Sequence, residues 1–351
     1  MKDFEKWVWN LDVPIFQGGM GVGVSLGGLA GAVAAQGGAG TISTAQIGFK
    51  EPDFAKNPLE ANLRAIGKEV AKAREIAKGK GAVGVNIMAV TKNYGEYVRE
   101  AIRQKVDFIV TGAGLPMDLP ALAKDSGVKL IPIVSSMKAA SLICRRWLKK
   151  EGKIPDAVII EGPRAGGHLG FSVEEAKTGM FDAYDEEIKK IVEYLRQFGK
   201  EQNTYIPVIS AGGYRTREDF EKQRSLGADG IQMATSFVTT EECDAHMAFK
   251  QAYLNCKKED ICIVKSPVGM PGRAIRNAFI ERTEKEPIKP EKCYQCISVC
   301  KPAETPYCIT KALINAVTGK VDEGLIFCGA EAWKENKIRT VREVIQSVLP
   351  I

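Results

Sequence analysis

The chain lacks the features that mark membrane insertion, export or nucleic-acid binding. No apolar run approaches the roughly 18 residues needed to cross a bilayer. The longest weakly polar stretch, residues 22–42, is mostly glycine and alanine, small residues that suit tight packing. Residues 1–10 carry acids and a tryptophan pair, with no basic stretch followed by an apolar one, so a cytoplasmic protein is expected. Lysine and arginine are scattered, with no basic block interleaved with aromatics, which gives nucleic-acid binding no support. A dinucleotide fingerprint is also missing: Gly19-x-Gly21 would need glycine where Val24 stands, and Gly21-x-Gly23 would need it where Leu26 stands. Histidine occurs only twice, at His168 and His246.

What is present describes a large globular protein. The 351 residues are 45% hydrophobic and 26% charged, enough to bury a sizeable core. The net charge of +6 is that of a solvated surface, and it could favour an acidic partner or a phosphorylated ligand. The nine cysteines without an export signal argue against a disulfide framework. Cys144, Cys243, Cys256, Cys262 and Cys328 are scattered and read as small buried apolar residues.

Eight short apolar runs predict strands over residues 14–17, 40–43, 82–88, 108–112, 129–134, 157–161, 207–211 and 230–234. Helical patterns occupy residues 58–78, 94–105, 138–150, 186–199 and 216–226. Such alternation predicts an α/β fold, a (β/α)₈ TIM barrel, over an open doubly wound sheet. After residue 234 the pattern changes: helices are expected over 241–255, 309–318 and 340–348, with a loop and then a helix across 265–282. The expected division is a barrel over 1–240 and a helical, cysteine-rich C-terminal annex over 241–351.

Three loops at the predicted strand ends could carry chemistry. Gln17-Gly18-Gly19-Met20-Gly21 follows the first strand; consecutive glycines allow close approach of a ligand, or simply a tight turn. Ala211-Gly212-Gly213 and Gln232-Met233-Ala234-Thr235 follow the seventh and eighth strands, the usual phosphate site of such barrels. Glu161-Gly162-Pro163-Arg164-Ala165-Gly166-Gly167-His168 follows the sixth. His168, in a glycine-rich loop where buried packing is not expected, has the ordinary histidine pKa suited to proton transfer near neutrality. His246 falls in a predicted helix and reads as structural.

Together with Val85-Asn86, these segments resemble the nitronate monooxygenase (2-nitropropane dioxygenase) family, which includes flavin-dependent enoyl-acyl-carrier-protein reductases. Ala165-Gly166-Gly167-His168 is the most specific piece. The resemblance covers the whole barrel and implies a non-covalent FMN. Gly18, Gly19 and Met20 would line the flavin and Asn86 would hydrogen-bond it. Glu161, Gly166, Gly167, Gly212, Gly213, Gln232, Met233, Ala234 and Thr235 would surround ring and phosphate, and His168 would be the catalytic base or acid. The family's monooxygenases often carry glutamine where this chain has Glu161.

Cys293-x₂-Cys296-x₃-Cys300-x₇-Cys308 places four thiols in sixteen residues, a density that predicts metal binding: a [4Fe–4S] cluster or a tetrahedral zinc. With this run, Lys265-Ser266-Pro267-Val268-Gly269, Arg273-Ala274-Ile275 and Tyr307-Cys308-Ile309 resemble an FMN and iron–sulfur branch of the family. Its members dehydrogenate and isomerise a medium-chain acyl group on acyl carrier protein. The expected partner is a small-molecule or carrier-protein-bound acyl substrate, with no nucleic acid or membrane and with a homodimer as a conceivable assembly. An alkyl nitronate oxidised with O₂ is the alternative substrate.

Overall fold

The computed structural model describes residues 11–178 and 183–349; the segment 1–10, read above as lacking an export signal, lies outside them. The strands are β1 Ile15–Gln17, β2 Ala39–Ser43, β3 Ala82–Asn86, β4 Phe108–Thr111, β5 Lys129–Val134, β6 Val158–Glu161, β7 Gly167–His168, β8 Val208–Ala211, β9 Gly230–Met233, β10 Ile261–Lys265 and β11 Pro271–Ile275. All but β7, β10 and β11 close into a barrel in the order β1-β2-β3-β4-β5-β6-β8-β9, with every pairing parallel. The TIM barrel expected from the sequence is the observed fold.

The helices are α1 Gly27–Ala35, α2 Pro58–Ala77, α3 Tyr94–Arg103, α4 Leu119–Leu122, α5 Met137–Glu151, α6 Val173–Thr178, α7 Tyr184–Glu201, α8 Arg217–Ser225, α9 Thr235–Val238, α10 Met247–Asn255, α11 Ala278–Lys285, α12 Ile309–Val317 and α13 Val341–Gln346. Among the described residues none is long and apolar enough to cross a membrane. The strands are apolar on both faces because both are buried. Phe16 points inward, its ring centroid 5.8 Å from that of Phe108, while Ile15 and Ile231 pack outward against Leu29 and Val33 of α1. Gly84 makes the inner layer possible, since a Cβ there would overlap the Phe108 ring. Each such buried side chain contributes roughly 1.5–3 kcal/mol.

Helix α1 has no polar face, so its pattern did not predict it. It forms because it is buried and capped from a distance: the Asp244 carboxylate accepts from the backbone N–H of Leu26 (2.8 Å) and Leu29 (3.0 Å). Its small residues serve packing, as a Cβ on Gly31 would lie 2.7 Å from the Ala73 carbonyl oxygen of α2.

Beyond residue 240 the chain departs from the expected annex. Helix α10 starts at Met247, and His246 is its N-cap, Nδ1 accepting from Ala248 N–H at 3.1 Å. Where a loop was expected, β11 pairs antiparallel with β10 on one side and with β7 on the other. The annex therefore carries a sheet as well as helices, and the barrel lends it a strand. Helix α13 returns to the barrel wall, where Val341, Val344 and Ile345 join the cluster of Ile15 and Leu29.

Candidate active site

One cavity of about 250 Å³ opens at the carboxyl ends of the barrel strands, and every predicted barrel site residue lines it. Gly18, Gly19 and Met20 come from the β1 loop; Asn86 and Glu161 end β3 and β6; Gly166, Gly167 and His168 follow β6. Gly212 and Gly213 follow β8, Gln232 and Met233 end β9, and Ala234 and Thr235 open α9.

The β1 loop is placed by its buried stem. Gln17 accepts from Thr41 N–H at 3.0 Å and donates to the Gly18 carbonyl, tying β1 to β2. Two glycines then pass over neighbouring strand ends: a Cβ on Gly18 would meet Gln232 Cδ at 3.3 Å, and one on Gly19 would overlap Asn86 Cβ. At the far end, Gly212 and Gly213 take φ of 139° and 83°, conformations that favour glycine. Gly329, from the annex, completes this end; a Cβ there would come 2.6 Å from Thr235 Oγ1. The result is backbone and hydroxyl at one end, with the Asn86 and Gln232 amides beside the glycine loop. That donor set suits a phosphate joined to a flat ring with polar edges, so these residues fit FMN.

His168 departs from the expected glycine-rich loop. It lies in β7, paired with Gly272 of β11, with Leu169 N–H donating to the Pro271 carbonyl at 2.9 Å. Its Nε2 is 2.7 Å from Ser266 Oγ, and its ring meets Phe327 edge-on with centroids 4.9 Å apart. Ser266 is held by its own turn: Val268 N–H donates to its Oγ at 3.3 Å, and Gly269 N–H to its carbonyl at 3.0 Å. Burial lowers the His168 pKa to about 4, so the imidazole is neutral at physiological pH and does not titrate near neutrality as its residue type suggested.

Glu161 shows the opposite shift. Burial pushes its carboxyl up to about 8, with the Arg273 charge opposing. Arg273 is itself buried and donates to the backbone carbonyls of Ala165 and, at 3.2 Å, Ala176, bracketing the segment that carries His168. Gly166 is required by close approach: a Cβ would lie 2.6 Å from the Cys328 carbonyl. Ser266, Arg273, Phe327, Cys328 and Gly329 thus belong to the site, although their motifs were read only as family likeness or, for the last three, not read as site residues. Cys328 is buried, as expected, but in the cavity wall.

The four clustered cysteines do not assemble into the expected ligand set in this structure. Among the described residues no three Cys, His, Asp or Glu side chains are placed to hold a metal ion. Cys293 is exposed, whereas Cys296 lines the cavity. The thiols are nonetheless near neighbours. Burial raises the pKa of Cys296, Cys300 and Cys308, and the charges of the other thiols in the run add to it. The run is docked on the barrel, with Lys92 N–H donating to the Cys296 carbonyl at 3.1 Å and Ser298 N–H to that of Val90 at 2.9 Å.

Residues 4–350 match the family described as nitronate monooxygenase. A probable nitronate monooxygenase of Bacillus subtilis (strain 168) is 26% identical over 314 residues, covering 81% of this chain and 82% of that protein. The solved structure of FabK from Thermotoga maritima superposes with a TM-score of 0.72 at 26% identity, covering 99% of this chain and 93% of that one. Nitroalkane oxidase from Streptomyces ansochromogenes shares the fold, with a TM-score of 0.70 at 19% identity over 97% of this chain and 96% of its own. Barrel, cavity and sequence agree: the chain belongs to the nitronate monooxygenase family and is an FMN-dependent oxidoreductase.

Proposed function

We propose that this enzyme acts on an acyl thioester, of the acyl-carrier-protein dehydrogenase/isomerase or enoyl reductase type, with His168 as the group that moves the proton. The observation that carries this reading is a neutral imidazole, held by Ser266, in a cavity with an apolar wall. FMN held by the glycine loops and the Asn86 and Gln232 amides would be the two-electron oxidant that accepts the hydride. His168 takes the α-proton while hydride leaves the β-carbon, so no free carbanion has to be stabilised. The base is Nδ1, because Nε2 is engaged; in that tautomer Nε2–H donates to Ser266 Oγ. The neutral imidazole is in the form that can accept a proton. The net charge of +6 suits an acidic carrier protein.

The second reading is oxidation of alkyl nitronates with O₂, favoured by the name of the Bacillus relative. Parallel assays separate the two. Turnover of an acyl-carrier-protein thioester well above that of a nitronate supports the first; nitronate turnover alone overturns it. The cysteine run is proposed to gather iron and sulfide, or zinc. Its spacing and the mutual proximity of its thiols support this.

A further inference from the structure

Glu161 is an acid in the cavity that proton transfer to His168 leaves unused. It ends β6 beside Ala211 of β8 and lines the cavity, and β7 brings His168 back to the same cavity. Arg273 ties the two together: it pairs with Gly167 beside His168, holds the Ala165 carbonyl, and its charge reaches Glu161. Its guanidinium donates to backbone carbonyls, however, and not to the Glu161 carboxyl. Tyr184, near enough to feel the Glu161 charge, directs its hydroxyl proton to the Ser135 carbonyl at 2.9 Å and to the backbone carbonyl of Glu161 at 3.0 Å. Among the described residues nothing is hydrogen-bonded to the Glu161 carboxyl itself.

A carboxyl in this setting is a donor. Burial holds it protonated at neutral pH, and a buried O–H without an acceptor is costly. The groups that fit FMN are already supplied by the Asn86 and Gln232 amides, the glycine loops and Thr235. A thioester, in contrast, presents a carbonyl oxygen that only accepts. Removing its α-proton draws negative charge onto that oxygen even where no free carbanion forms, and a fixed donor there lowers the barrier. A neutral acid supplies the donor without bringing negative charge into the cavity.

We propose that Glu161 donates a hydrogen bond from its neutral carboxyl to the thioester carbonyl oxygen and stabilises the charge that gathers there as His168 Nδ1 takes the α-proton. Glu161 keeps its own proton throughout; the proton that changes hands passes from the α-carbon to His168. The inference rests on the proposed function for the identity of that oxygen. The other titratable groups around the cavity change charge elsewhere. Beside the Arg164 guanidinium, burial lowers His168 and raises Tyr97, Tyr214, Tyr253, Cys296 and Cys328, and it raises Tyr184 next to Glu161 as well. An alkaline limb near 8 therefore belongs to Glu161.

The test uses the FMN-loaded enzyme with Glu161→Gln, which keeps a donor and cannot ionise, and Glu161→Leu, which has no donor. Turnover of an acyl-carrier-protein thioester is followed against pH. Separately, the absorbance of acetoacetyl-pantetheine reports how far the bound probe ionises to its enolate, which needs no turnover. Wild-type kcat/KM should fall as pH rises through about 8, and Glu161→Gln should lose that limb. Glu161→Leu should lose roughly 10²–10³-fold in kcat with KM little changed. The bound probe should ionise at lower pH in wild type and Glu161→Gln than in Glu161→Leu. Glu161→Met, unbranched and of similar length, replaces the leucine variant should that fail to fold. An alkaline limb that persists in Glu161→Gln, or a leucine variant that matches the wild type in turnover and probe ionisation, overturns the donor role. Loss of FMN from the leucine variant makes Glu161 a cofactor ligand and overturns it too. Probe ionisation that depends on Glu161, without thioester turnover, keeps the donor and removes the thioester reaction. Thioester turnover unaffected by either variant does the reverse.

Discussion

His168 Nε2 and Ser266 Oγ meet at 2.7 Å across 98 positions of sequence, one from strand β7 and the other from the turn of the annex hairpin. The contact engages Nε2 and leaves Nδ1 as the nitrogen proposed to take the proton. His168→Ala should keep FMN and lose roughly 10²–10⁴-fold in turnover. Ser266→Ala should lose less and change the pH profile, because it frees Nε2. Near-normal turnover in His168→Ala would mean that another group moves the proton.

The pH dependence follows from the direction of the His168 shift. The folded pKa, about 4, lies below the ordinary 6.5. The neutral base, and its contribution to stability, are fully present above 6.5 and are lost as pH falls through about 4. The acid limb of kcat/KM should therefore lie near 4. A limb near 6.5 would show that the imidazole is solvated in the working enzyme.

Glu161 gives the opposite sign. Its raised pKa means that its contribution to stability is present below the ordinary 4.5 and is lost as pH rises through about 8. Glu161→Gln keeps a neutral hydrogen-bonding group there. It should retain FMN, match the wild type at pH 4, and become the more stable of the two in thermal melts as pH rises to 9. Equal melting at both pH values would place an ionised, solvated carboxylate at this position.

Arg273→Met should remove the donors to the Ala165 and Ala176 carbonyls, each worth roughly 1–3 kcal/mol when left buried and unpaired. A lower Tm and early proteolysis near residues 165–178 are expected, with weakened turnover even where FMN stays bound. Unchanged protease sensitivity would mean that β7 holds without it.

Protein purified without oxygen should be yellow and release FMN rather than FAD on denaturation, because the cavity offers one phosphate end and no dinucleotide fingerprint is present. The cysteine run should carry iron and sulfide, about four of each for a cubane, and Cys296→Ser should strip them. Zinc without sulfide would reverse the assignment; neither metal would leave the run an unmetallated thiol loop.

Much of the barrel was legible because strands buried on both faces must be apolar, and the eight runs stood apart between amphipathic helices. Helix α1 was invisible: a helix of glycine, alanine, leucine and valine has no polar side to show a period. The hairpin β10–β11 was missed because glycine and proline in its second half read as loop. The glycine motifs were found as motifs, yet why Gly166 or Gly19 must be glycine depends on Cys328 and Asn86, which no local pattern names.

The sequence by itself determined the alternation of elements, the glycine turns at strand ends and the density of thiols, since each follows from local periodicity or composition. Only the tertiary structure decided that His168 is a strand residue against Ser266, that Arg273 brackets its segment, and that the annex supplies the apolar wall. It also decided the protonation states, lowering one pKa and raising the other. The physical reason is common to all of these. Hydrogen-bond partners and desolvation are set by groups brought together from distant parts of the chain, and no residue type carries them in advance.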